Sequence, residues 1–175
     1  FAPGPGNRRV DLGLGPVLEP YGLKLGEDIV VDPRNALPLM GPETVVARSS
    51  RAHPVTKLLE GLPVVFPVVR SVSVAEKAPD GVAAQVLLET SPEGWGETDL
   101  AALETKVEKD ERDVAGQVPL AAAAEAGSGR KTRLVVVGDA DFASTGGIAN
   151  AANLYLVTSA ANWLLDRESL ISIPP

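Results

Sequence analysis

Cysteine is absent from the chain, and histidine occurs once, at position 53. The first absence removes disulfides, thiolate metal sites and a cysteine nucleophile. The second removes any multi-histidine metal centre. Aromatic residues are scarce, at 4%, and no apolar run is long enough to suggest a membrane-crossing helix. Positive charge is also in short supply. Sixteen Lys and Arg stand against 23 Asp and Glu, giving a formal charge of −7. That balance argues against binding a phosphate backbone or an anionic lipid surface. No basic-then-apolar segment opens the chain as a signal sequence would. Its start at Phe1, in the loop-like FAPGPGNRR, reads as an excised or processed piece, with any anchor lying elsewhere.

What is present suits one domain spanning 1–175, with 45% hydrophobic and 22% charged residues. The chain is organised around RLVVVGDADFAS at 133–144 and the apolar NLYLVTSAANWLLD at 153–166. Leu134–Val137 has no polar alternation, which is how a strand buried on both faces of a parallel sheet reads. Gly138 ends it, and Asp139 and Asp141 follow at the edge where open α/β sheets hold ligands. The segment after it predicts a helix with Leu154, Val157, Ala161, Leu164 and Leu165 on one face.

Earlier in the chain, Asp11–Tyr21 reads as a short helix whose regular part starts near Pro16 and is capped by Gly22. Ile29–Val31 and Thr44–Ala47 read as short strands, and His53-Pro54 opens a helix that Gly61 ends. Val64–Val74 and Val82–Thr90 flank the turn EKAPDG, which predicts a β-hairpin over 64–90 with an irregularity at Pro67. Ser91–Glu97 reads as a loop holding Trp95, Thr98–Thr105 as a turn or two of helix, and Lys106–Asp113 as a solvated charge run. Val118–Ala126 is read as a strand in spite of its alanines, because Gly127–Lys131 then makes a tight polar turn into the next one.

The chemical templates fit poorly. Asp139 and Asp141 lack the following oxygen ligands and Gly turn of a calcium loop. A haloacid-dehalogenase-type nucleophile would follow the strand directly in a DxDxT pattern, but Gly138 intervenes and Ala143 replaces the Thr. The plainer reading is that Asp139 caps the turn while Asp141 or Ser144 satisfies loop amides. Ser144–Gly147 offers amides that could cradle an anion, though Gly-Gly loops usually just turn the chain. GSGRKT at 127–132 lacks adjacent Gly-Lys and precedes a strand, so it is no P-loop. Gly13-Leu14-Gly15 lacks a third glycine. No G-x-S-x-G elbow supplies a serine for His53, which reads as a helix cap. Trp95 reads as a loop anchor and Trp163 as core.

Taken in order, several short motifs resemble those of gliding-motility-type (GldG-like) auxiliary components of ABC-2 transporters, in their extracytoplasmic domain. They are Tyr21-Gly22-Leu23 leading to Val30-Val31-Asp32, then HPVT at 53–56 and FPVVRSV at 66–72. LETS at 88–91 with Trp95 and Glu97 follows, and VVVGDADF through the closing ISI spans 135–173. The resemblance implies a three-layer α/β domain with a mostly parallel sheet, similar to the class I glutamine-amidotransferase-like fold without its cysteine. It further implies the extracytoplasmic (periplasmic) part of a membrane-anchored protein, partnered by an ABC permease and an ATPase, with no cofactor and no catalytic residue. The domain would be partial, its upstream strand and helix lying before Phe1 and a membrane segment following Pro175. Asp139, Asp141, Ser144, Trp95 and His53 are the expected ligand- or partner-binding residues. The alternative is a small-ligand-binding or hydrolytic domain using Asp139 and Asp141. A third reading is a cytoplasmic interaction domain.

Overall fold

The computed structural model describes residues 12–37, 39–49, 52–101, 103, 107–167 and 169. The chain opens with α1, Gly15–Leu18, which carries Pro16 in its first turn and continues as a 3-10 turn over Glu19–Tyr21. Gly22 closes it in the left-handed conformation, at φ 67. The strands β1 (Leu23–Leu25), β2 (Ile29–Val31) and β3 (Val45–Ala47) come next. A 3-10 helix at Pro54–Leu59 separates them from β4 (Val64–Phe66) and β5 (Val72–Val74). The longer β6 (Val82–Glu89) leads to β7 (Trp95–Glu97), β8 (Val114–Ala115), β9 (Pro119–Ala126) and β10 (Thr132–Val137). The helix α2, Asn153–Leu164, comes last.

Every strand pairing among the described residues is antiparallel, in the orders β10-β9-β6, β2-β7-β8, β1-β5 and β3-β4. The mostly parallel three-layer α/β sheet expected from the sequence is therefore not what the chain forms. Parallel neighbours need long crossovers, usually helical. Here β9 returns into β10 through the short turn at 127–131, and α2 is the one helix of full length among the described residues.

The unbroken apolar runs have a different cause. The central strand β9 is covered on both faces. Ala121 and Ala123 belong to the larger core with Phe66, Leu87, Leu156 and Trp163. Ala122 and Ala124 belong to a second core with Leu18, Leu23 and Val72. Burial on two sides removes polar alternation whatever the strand direction.

Other expectations are corrected as well. The hairpin over 64–90 does not form: β4 pairs with β3, β5 with β1, and β6 with β9. A hairpin forms farther along the chain, between β9 and β10, in an unbroken register from Thr132↔Ala126 to Val137↔Ala121. Trp95 lies in a strand rather than a loop. The Thr98 amide donates to Asp113 at 3.0 Å, and part of the expected helix at 98–105 lies outside the described residues, as does 1–9. The face of α2 is rotated from the expected one: Asn153, Leu156, Ser159 and Trp163 are buried, while Leu154, Leu164 and Leu165 are exposed.

Candidate functional site

The loop after β10 is built from its own carboxylate. Asp139 accepts the amides of Asp141 at 2.8 Å and Phe142 at 3.1 Å, one on each oxygen. Burial pushes the Asp139 carboxyl up from its ordinary value, and those two backbone donors pull the other way. Asp141 is exposed, and the Ser144 hydroxyl donates to its carbonyl at 2.7 Å. The amides of Gly147 and Ile148 both donate to the Ser144 carbonyl, so they serve the turn rather than an anion.

Asn153 fastens this loop to the sheet. Its side-chain oxygen accepts from the Val65 amide at 2.9 Å. Its amide nitrogen donates to the carbonyls of Val65, Phe142 and Gly147 at 3.0, 3.3 and 3.0 Å. Sequence reasoning missed this residue; the one available signal was a polar amide at the head of a helix whose first turns are otherwise apolar.

Around β2 and β7, three further carboxylates each hold polar groups of their own. Asp32 is completely buried and accepts both the amide and the hydroxyl of Ser91 at 2.7 Å, along with the amide and side chain of Asn35. Glu97 is buried and accepts from the Asp99 amide at 2.8 Å and the Trp95 indole at 3.4 Å. Trp95 is only 7% exposed, so it presents no stacking face to solvent. Asp28 holds the Ser71 amide and hydroxyl with one oxygen. Its other oxygen is buried without a hydrogen-bond partner.

His53 lies elsewhere, at the mouth of a groove of about 310 Å³ between the end of α2 and the distal part of β6, β9 and β10. Its Nδ1 accepts the Val55 amide at 3.1 Å, the expected helix cap, and its ring meets Trp163 edge-on at 5.0 Å. Arg133 braces the opposite wall. It donates to Glu125 at 2.7 Å, to the Trp163 carbonyl at 2.6 Å and to Asp166 at 3.1 Å, and its guanidinium lies 4.9 Å from the Trp163 ring. Lys131 also pairs with Glu125, at 2.5 Å.

Of the expected binding residues, the structure thus brings Asp139, Asp141 and Ser144 together in one loop. It places Trp95 in a buried strand and His53 on the groove. Among the described residues, no group of three metal-ligating side chains gathers, and no helix is long and apolar enough to cross a membrane.

The described residues thus form antiparallel sheets whose polar side chains tie loops to strands. The family model for the ABC-type uncharacterized transport system matches residues 1–163, and the chain belongs to that family of transport-system auxiliary components. Among solved structures it is similar to the mmIFT52 N-terminal domain, with a TM-score of 0.60 at 17% identity. That likeness covers 86% of this chain and 56% of the other, and it speaks for the fold alone. Comparison with curated proteins returned no match.

Proposed function

We propose that the chain is a non-catalytic auxiliary or scaffold domain of an ABC-2-type transport system of the gliding-motility (GldG-like) kind. It would work on the extracytoplasmic (periplasmic) side of a membrane-anchored protein, in contact with a permease and an ATPase. Membership of the auxiliary family over 1–163 is the observation that carries this reading. The motif carboxylates support it. Asp32 holds the amides of nearby Asn35 and distant Ser91, and Glu97 and Asp139 hold amides just after them, which is the work of structural residues rather than of a general base. Of the expected contact residues, His53 on its groove and the exposed Asp141 and Ser144 are the ones available to a partner.

The test is cross-linking and affinity capture of the native protein from its own membranes. An ABC permease and ATPase in the eluate would support the proposal. Recovery of the protein alone, unattached to membranes, would overturn it. Filling the groove with Ala83→Trp should weaken the capture if His53 and its neighbours are the contact. Unchanged capture would shift the contact to another surface.

A further inference from the structure

The open edge of β10 carries an inference of its own. In the sheet β10-β9-β6, the middle strand is buried from Leu120 to Ala124, whereas Arg133 to Val137 are only partly buried, Leu134 to Val137 packing their side chains on the two cores. The pairing fixes which way each backbone group of β10 points. Gly138 donates its amide to the Leu120 carbonyl at 3.0 Å, and the register Val136↔Ala122 continues from that pair. By the alternation of an antiparallel ladder, Thr132, Leu134 and Val136 bond to β9, while the N–H and C=O of Val135 and Val137 point away from it. Among the described residues, no strand pairs with this outer edge.

An unpaired apolar edge is a template for another strand. Its flanks indicate which strand fits. The residues entering β10 are basic, with exposed Arg130 and Lys131. Past the buried Asp139, the chain leaving it carries the exposed, acidic Asp141. A strand that is positive at one end and negative at the other is complementary to its own copy run antiparallel.

We infer that β10 is a self-association edge. Two copies of the chain pair through it about a twofold axis, joining their sheets in the order β6-β9-β10-β10-β9-β6. Centring the pair on Val135 sets Arg133 opposite Val137 and Lys131 opposite Asp139 of the second copy, with Asp141 just beyond. In this register the outward groups of Val135 and Val137 meet outward groups of the other strand. Such an interface is isologous, so each favourable charge contact occurs twice. Edge pairing of one short strand buries little area, so the association is weak and concentration-dependent.

The test combines sedimentation velocity across concentration with amide hydrogen exchange. The expected result is a monomer–dimer equilibrium in which the Val135 and Val137 amides gain protection as the dimer fills. Arg130→Glu should raise the dimer dissociation constant about tenfold, since two symmetry-related contacts are lost. Asp141→Arg alone should do the same, and the double charge swap should recover most of the loss. A monomer at the highest soluble concentration would overturn the inference. So would a dimer in which these two amides stay unprotected, or protection of them that is already complete in the monomer. Val135→Pro removes an outward amide and should abolish the dimer. If that variant unfolds, the exposed charge swap still decides the question.

Discussion

Asn153 shows how much one side chain can hold. It satisfies the backbone of β4 on one side and two carbonyls of the 139–147 loop on the other, from a fully buried position. Asn153→Ala should leave those groups unpaired and lower unfolding free energy by about 3 kcal/mol in denaturant titration. A loss below about 1 kcal/mol would mean that water replaces the amide.

Gly138 is constrained differently. A Cβ there would overlap the Arg70 carbonyl, and the Arg70 amide already donates to Gly138 at 3.0 Å. Gly138→Ala should cost about 2–4 kcal/mol, because backbone cannot yield as a flexible side chain can.

Asp139 adds a pH signature. Its carboxyl is raised by burial above the ordinary 3.8, so the folded chain holds that proton more tightly than the unfolded chain. The resulting stabilisation is fully present below the unfolded value and is lost as pH rises through the folded value. Stability measured from about pH 3 to 7 should show this slope in the parent and lose it in Asp139→Asn. Identical slopes in both proteins would remove Asp139 as its source. The same substitution should disturb the loop rather than any activity.

At the scale of elements, α2 and β10 show what periodicity alone can and cannot reveal. The apolar run at 153–166 contains a helix, as its composition implies, yet of the face assigned from Leu154, Val157, Ala161, Leu164 and Leu165 only Val157 packs against the core and the other four are exposed. A helix apolar on several sides can be docked at more than one rotation, and the polar grip of Asn153 together with Trp163 against His53 selects this one. Leu156→Ala should therefore cost about 2–4 kcal/mol, whereas Leu154→Ala should stay within about 0.5 kcal/mol. Reversal of that order in thermal unfolding would mean that the helix docks by the other face.

The strands at 119–126 and 132–137 were legible because a short polar turn separates two β-compatible runs. Their direction and edge position were not. Both depend on which strands arrive from elsewhere, and the pairings β1–β5 and β3–β4 join segments about 20 to 50 residues apart.

Across the whole molecule, β9 gives fully buried residues to both cores, and β6 and β10 on either side of it also reach both. Unfolding should accordingly be a single transition. The β9 amides should exchange only through global opening, and those of the short, exposed β8 far sooner. Two transitions, or β9 amides that exchange as fast as those of β8, would show that the cores open independently.

The sequence by itself determined the local features whose causes lie within a few residues. Gly22 closes the first helix, His53 caps the 3-10 turn, and Asp139 caps its own loop. It also matches the transport-auxiliary family over residues 1–163. The tertiary structure alone decided the antiparallel sheets, the rotation of α2, the burial of Trp95 and the joining of Asp32 to Ser91 across 59 residues. The physical reason is that both kinds of sheet bury the same apolar runs. Only the long-range pairing of backbone groups, with the connections that permit it, separates one arrangement from the other.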